Sequence, residues 1–347
     1  MVVSKSVSRK LLIAAGASLA TVGLLAGCTS GTPTTDPTSG GEEAPVDETG
    51  ETVVIGFSGP AADHGWLGAI NSAAIAEAAK YPDIELKVAE GTNDANLQIS
   101  QVETFVNEGV DAIVLLPTDG AALTEAAIAA MNAGVPVVNV DREFSSPFAA
   151  RTTILGDNYG MGVSAGTYIC EQLGDNPDAV VAEIAGIDSL PLTQDRSAGF
   201  ADALSDCGLS VSNRVAADFT VAGGEAVTSQ LLSAAPKIDA IWNHDDDQGI
   251  GVLAAINAAG RDEFFMVGGA GSANAMREIQ SGESVLQATV IYPSTQAADG
   301  IRLARLIAQG KVMSDLVEAA VPARIVLFAP VVTADNVDEF LPTAFES

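Results

Sequence analysis

Positive charge is what this sequence has least of: 16 Lys and Arg stand against 45 Asp and Glu in 347 residues, a net charge of −29. Without a basic surface nothing releases counterions from a phosphate backbone, which excludes nucleic acid as a partner. An anionic membrane face is disfavoured for the same reason. Cysteine is nearly absent, with three residues, and no zinc-ligand spacing, P-loop or nucleophile elbow occurs. The chain therefore lacks the residues of those enzyme classes, and neither a cofactor nor a metal is expected. The apolar run Leu11 to Leu25, fifteen residues, falls short of the about 20 that a membrane-spanning helix needs.

That run belongs instead to an export signal. Lys5, Arg9 and Lys10 precede it, and "LAGC" ends it at Cys28, the order of a bacterial lipoprotein signal in residues 1–27 whose cleavage leaves Cys28 lipidated. An ordinary signal peptide with an incidental cysteine is the plainer alternative. Cleavage leaves 13 basic against 45 acidic residues, a net charge of −32. Residues 28–50 carry Thr, Gly, Pro and acids without an aliphatic pattern, so they bury too little to order themselves and read as a tether. The expected location is extracytoplasmic, held to the cell membrane by the lipid alone. Export also permits a disulfide between Cys170 and Cys207. Two buried free thiols is the alternative, because spacing gives no distance.

What is abundant is aliphatic and small: 48% hydrophobic residues and 34 glycines, a composition of tightly turned α/β proteins. From residue 53 on, short apolar runs alternate with alanine-rich helical stretches. "VVIGF", "IELKV", "AIVLLP" and "VPVVNV" predict strands, with helices near 68–80, 95–108 and 121–133. A second series follows, "VVAEIAG", "VSNRVAADF", "DAIWNHD" and "FFMVGG", with helices near 160–173, 194–206, 223–233 and 248–259. Continuous apolar strands with intervening helices mark parallel sheets covered on both faces. The expected fold class is α/β, two doubly wound parallel-sheet lobes.

In open α/β sheets ligands sit beyond the carboxyl ends of the strands. Polar and aromatic residues at those ends are therefore candidate contacts: Ser58, His64 and Trp66 after the first strand, Asp141 and Arg142 after "VVNV", then Arg196, Phe219 and Asp245 in the second series. Carboxylates accept from paired hydroxyls, guanidinium donates in a fixed fork, and aromatic faces cover C–H surfaces. A sugar or polyol matches that set. Plainer readings compete: a surface ion pair for Asp141 and Arg142, core packing for Trp66 and Phe219, helix capping for His64. "NHDDDQG" starts like a calcium loop, but Gln248 stands at its sixth position and Ala254 at its twelfth, where glycine and glutamate belong. One acid facing a ligand and two solvated at a helix N-terminus is the simpler assignment. "GGAGSAN" imitates a dinucleotide fingerprint but reads as turn glycines.

"VVNVDR", "LLPTD" (115–119), "GDNYGMG" (156–162), "RSAGF" (196–200) and "ADF" (217–219) together resemble, in order and spacing, the ribose-binding-protein-like receptors of ABC importers, over roughly residues 53–330. The resemblance implies the periplasmic binding protein type I fold, with three crossings between lobes, near 155–158, 291–293 and 320–322. Lobe 1 would comprise 51–156 plus 292–320, with a late helix near 294–308, and lobe 2 would comprise 157–291 plus 321–347. Ser58, His64, Trp66, Asp141 and Arg142 would bind from lobe 1, Arg196, Phe219 and Asp245 from lobe 2, and Tyr292 at the second hinge. Three departures point away from ribose: Ala270 where the family has an aspartate, Ile291 beside Tyr292 where it has a glutamine, and His64 with Trp66 where it has an asparagine and phenylalanines. Another pentose, a hexose or a short polyol is expected.

The expected function is that of a monomeric, non-enzymatic receptor that delivers its ligand to an ABC permease and its ATPase. A sensor presenting the closed form to a kinase or chemoreceptor is the alternative. A two-lobed repressor would need a DNA-binding helix pair where this chain has its export signal. A glycoside-processing enzyme would need a catalytic carboxylate pair across the cleft.

Overall fold

The structure is a computed structural model that describes residues 49–174, 176–311, 313 and 320–347. The expected export signal, Cys28 and the expected tether up to residue 48 lie outside the described residues. Gly50 is already fixed, its N–H donating to Asp83 Oδ2 at 2.6 Å.

The chain opens with β1 (Val53–Ser58), α1 (Gly65–Ala78), β2 (Ile84–Val88), α2 (Ala95–Asn107), β3 (Ala112–Leu115), α3 (Gly120–Asn132), β4 (Val137–Val140) and β5 (Thr152–Gly156). It continues with α4 (Asn158–Leu173), β6 (Val181–Ala185), α5 (Pro191–Asp206), β7 (Val211–Ala216), α6 (Val221–Ala234), β8 (Ala240–Asn243), α7 (Asp246–Ala259), β9 (Phe265–Ala270), α8 (Ala273–Ser281) and β10 (Leu286–Ile291). Last come α9 (Gln296–Ala308), β11 (Arg324–Leu327), β12 (Val331–Thr333) and α10 (Val337–Phe340).

These strands form two six-stranded sheets, ordered β11-β5-β4-β3-β1-β2 and β12-β10-β9-β8-β6-β7. Every pairing is parallel except β10 with β12. Sequence pattern and position agree. The inner strands β3, β4, β6 and β8 are buried along their whole length, as helices on both faces require. The edge strands β2 and β7 carry exposed Glu85, Ser212 and Arg214 or half-buried neighbours.

Much of the acidic surplus at strand ends serves as helix caps. Asp94, Asp119, Asp157 and Asp245 each occupy an N-cap and accept from backbone N–H groups of the following turn. Negative side chains there satisfy orphan donors and complement the helix dipole. Because a helix follows each of these strands, the caps collect at the carboxyl edges of the sheets, where the lobes face each other.

The chain passes between lobes after β5, after β10 and after β11. Helix α9 returns to the first lobe and packs on α1, β3 and β4, fixed at its far end by Arg305 paired with buried Asp83 at 2.7 Å. The third crossing differs from the expectation of 320–322: β11 pairs in parallel with β5 through Leu327 and Gly156, so the chain leaves the first sheet only at 328–330. The apolar run over residues 325–332 spans both β11 and β12, so no break in the pattern marks where the chain changes sheets. "GGAGSAN" is likewise more than a turn, since α8 begins at Ala273 with Ser272 capping it through Ala275 N–H.

Candidate functional site

Between the carboxyl edges of the two sheets lies a cavity of about 30 Å³ lined by His64, Trp66, Asp141, Arg142, Leu192, Arg196, Phe219, Asp245 and Tyr292. Eight of the nine expected contact residues thus meet in one place. Ser58 does not: it is fully buried, its hydroxyl donating to Gln101 Oε1 at 2.9 Å and accepting from Gln98 Nε2 at 3.1 Å. Ending β1 beneath α2, it supports the sheet rather than the cavity. Sequence reasoning missed Leu192, which no motif marks, and Asn158, which sits inside the quoted "GDNYGMG". A larger cavity of about 330 Å³ shares Asp141, Arg142 and Leu192 with this one. The aromatic faces converge only on the smaller, whose free space is about that of one water molecule.

The first lobe supplies a carboxylate and a guanidinium in tandem. Asp141 holds φ 65°, a left-handed backbone that turns the chain sharply at the end of β4. Its Oδ1 accepts from the Tyr292 hydroxyl at 2.6 Å, and its Oδ2 lies 3.8 Å from Arg142 Nε. Arg142 is anchored by Nη1, which donates to Thr118 O at 2.7 Å, while Nε is buried without a hydrogen-bond partner. A buried donor left unpaired costs about 1–3 kcal/mol, so Arg142 Nε and Asp141 Oδ2 form a donor and acceptor pair spaced to take a hydroxyl.

Aromatic rings form the walls. The Trp66 and Tyr292 rings lie 5.3 Å apart, and His64 stacks on Phe219 at 6.4 Å. Trp66 Nε1 donates to the backbone O of Tyr292 at 3.0 Å, so the buried indole N–H is satisfied. Two glycines make the space: a Cβ on Gly156 would fall 2.0 Å from the Tyr292 ring, and one on Gly186 would fall 1.9 Å from the Phe219 ring. Phe219 has φ 67°, strained for a bulky residue by about 1–3 kcal/mol, and Gln248 Oε1 holds it by accepting its N–H at 3.0 Å. Ala270, at φ 86°, adopts a similar strain at the end of β9.

The second lobe supplies Arg196 and Asp245. The Arg196 guanidinium lies 4.4 Å from the Tyr292 ring centre and 5.9 Å from that of Phe219, cation–π contacts that keep it across the cavity wall. Its Nε donates to Asn158 Oδ1 at 2.9 Å and its Nη1 to His244 O at 3.2 Å. His244 is itself fixed by Glu183, with Nε2 3.0 Å from Oε1, and its burial pulls its pKa down to about 4. Burial, then the charge of Asp247, pushes Asp245 up to about 7.

The other two acids of "HDDDQG" are buried, not solvated. Asp246 accepts from the N–H groups of Gly269, Gly271 and Ser272 and from the Thr289 hydroxyl. Burial still pushes it up to about 7 against those donors. Asp247 accepts from Trp66 N–H at 2.9 Å. His64, Asp245 and Asp247 bring ligand atoms within 4.8 Å of one another, a set that could hold a cation, yet each already has a protein partner in Asp63, Gln248 N–H or Trp66 N–H. Cys170 and Cys207 are bonded to each other, their Cα atoms 6.1 Å apart.

Residues 55–312 match the sequence model of the periplasmic binding protein domain. The ribose import binding protein RbsB of Bacillus subtilis (strain 168) is 33% identical over 234 residues, 65% of this chain and 74% of the relative. A solute binding protein of an ABC transporter from Bacillus halodurans C-125, solved with bound myo-inositol, is 25% identical and superposes with a TM-score of 0.74 over 86% of this chain and 99% of its own. The fructose-binding periplasmic domain of a hybrid two-component system is 26% identical, with a TM-score of 0.73 over 84% of this chain and 93% of its own.

Proposed function

The chain belongs to the periplasmic binding protein domain family, and on that premise we propose that it is a lipid-anchored extracytoplasmic receptor. It closes two lobes over a monosaccharide or small polyol and delivers it to an ABC permease. The observation that carries this reading is the convergence of Asp141 and Arg142 from one lobe with Arg196, Phe219 and Asp245 from the other on a single cavity walled by aromatic rings. Carboxylate and guanidinium take the hydroxyls, and Trp66, Phe219 and Tyr292 cover the C–H faces. Contacts from both lobes make closure depend on the ligand, and a permease then distinguishes loaded from empty receptor by shape. Binding, not turnover, is the activity, and the protein works as a monomer. Ribose is not the favoured ligand: Tyr292 occupies the second crossing with its hydroxyl committed to Asp141, and Ala270 offers no polar side chain.

The test is a thermal-shift screen of the purified protein against pentoses, hexoses, inositols and linear polyols. A ligand at about 100 times its dissociation constant adds about 2.7 kcal/mol to the native state, a rise of several degrees. No stabiliser in the panel would sink the carbohydrate reading. Anchoring is tested separately: Cys28→Ser should move the protein from the membrane fraction to the soluble one.

The likeness to a two-component sensor domain supports a second reading, in which the closed form is presented to a kinase. Loss of sugar uptake on deleting the gene supports the permease. Retained uptake with loss of sugar-induced transcription supports the sensor.

A further inference from the structure

We infer that Asn158 is a positioning residue that couples the two halves of the site through the hinge; the inference rests on reading the aromatic-walled cavity as the ligand site. Asn158 is the first residue of α4, immediately past the first crossing, and is buried. Tyr292 stands at the second crossing. Between them runs one line of hydrogen bonds. Arg196 Nε donates to Asn158 Oδ1 at 2.9 Å, Asn158 Nδ2 donates to the Tyr292 hydroxyl oxygen at 3.1 Å, and that hydroxyl donates to Asp141 Oδ1 at 2.6 Å.

The direction of this line is forced. Guanidinium nitrogen can only donate, so the amide oxygen of Asn158 must face Arg196 and its NH₂ must face Tyr292. The Tyr292 oxygen, already accepting, turns its single proton to Asp141. An amide turned the other way would set donor against donor at Arg196 and draw the tyrosine proton off Asp141. Capping does not account for the side chain, since Asp157 supplies the N-cap bond of α4 to Gly160 N–H. Asn158 therefore sets three things without lining the cavity: the seat of the Arg196 guanidinium over the Tyr292 ring, the orientation of the Tyr292 hydroxyl, and the use of Asp141 Oδ1 by the protein. Only Asp141 Oδ2, beside Arg142 Nε, is then left to a hydroxyl of the ligand.

A double-mutant cycle with Asn158→Ala and Tyr292→Phe tests the coupling on dissociation constants for the best stabilising sugar. Each single variant is expected to lose about tenfold, and the double variant about threefold or less beyond the worse single, because both cut one line. Losses that multiply, or an unchanged dissociation constant for Asn158→Ala, would overturn the coupling. Asn158→Asp tests the polarity. Its carboxylate keeps the bond from Arg196 but accepts the tyrosine proton and strips it from Asp141, so affinity is expected to fall as for alanine. Wild-type affinity in Asn158→Asp would overturn the forced direction. The same cycle on the melting midpoint of ligand-free protein reads the line independently of any sugar. If no sugar binds the wild type, the receptor reading fails, while additive midpoint shifts would still refute the relay and sub-additive ones support it.

Discussion

The backbone N–H of Trp66, in the first turn of α1, donates to Asp247 Oδ2, in the first turn of α7, at 2.9 Å. One lobe thus caps a helix of the other. His64, the N-cap residue of α1, makes no side-chain bond to its own helix, so the carboxylate that satisfies this orphan donor arrives from across the cleft. Separation of the lobes would break the bond and leave α1 with one donor more for water to satisfy.

Asp247→Ala should therefore weaken ligand binding from outside the cavity. Hydrogen bonds to charged groups contribute about 1.5–3 kcal/mol, and because water replaces part of this in an open form, about a tenfold loss is expected. The loss should appear in the dissociation rate, since the bond forms as the lobes meet. Asp247→Asn keeps an acceptor and should recover most of it. Stopped-flow traces showing equal dissociation rates for wild type and Asp247→Ala would remove the bond from the closing energetics.

Arg142→Ala removes the unpaired Nε donor and, with it, one half of the hydroxyl-sized pair with Asp141 Oδ2. The expected loss is about 1.5–3 kcal/mol, or one to two decades in affinity, measured by titration calorimetry with the sugar that stabilises the wild type. An unchanged constant would return Arg142 to the role of a surface partner for Thr118 O.

Asp245 sets ligand binding against stability. Its carboxyl is pushed up to about 7 by burial and by Asp247, above the ordinary aspartate value of about 3.9. The folded state then holds a proton that the unfolded chain has released, so its stability contribution is greatest at low pH and falls as pH rises from about 4 through 7. Asp245→Asn cannot ionise and still accepts Gln248 N–H as an N-cap. The expected outcome is a ligand-free melting midpoint above wild type at pH 7, by a few degrees, with the gap closing toward pH 4. Its sugar affinity should nevertheless fall, because a carboxylate acceptor is lost. A gap independent of pH would show that Asp245 does not titrate in this range.

Why the strand ends were legible and the relay was not follows from what each depends on. Asp141 follows an apolar run directly, and Arg142, Phe219 and Asp245 stand within three residues of the end of one, so a pattern of continuous burial ends visibly close to each of them. Asn158, Arg196 and Tyr292 meet across separations of 38 and 134 residues, and nothing local distinguishes a helix-starting asparagine that caps from one that bridges two crossings. Ser58 failed for the opposite reason. It ends a strand like the others, but α2 lies over that end and Gln98 and Gln101 take its hydroxyl. β11 escaped because the apolar run over residues 325–332 continues without a polar break from β11 into β12, and with it went the position of the third crossing.

The disulfide tests whether the site depends on the staple behind it. Cys170 lies near the end of α4 and Cys207 caps the end of α5, two helices whose opposite ends carry Asn158 and, one turn in, Arg196. Closing a loop between residues 37 apart restricts the unfolded chain, and a loop of this length contributes about 3–4 kcal/mol in the chain-entropy account. Cys170→Ser with Cys207→Ser should lower the melting midpoint accordingly. Affinity should not follow. Gly162 and Gly199 bring the helices so close that a Cβ on either would fall 2.1 Å from a backbone oxygen of the other helix, and this backbone contact sits at the site end of the pair. Sugar affinity in the serine pair is therefore expected to stay within about twofold of wild type. A loss of a decade or more would mean that the helix pair transmits strain from the staple to Arg196, and that the glycine contact alone does not hold the second lobe's half of the site.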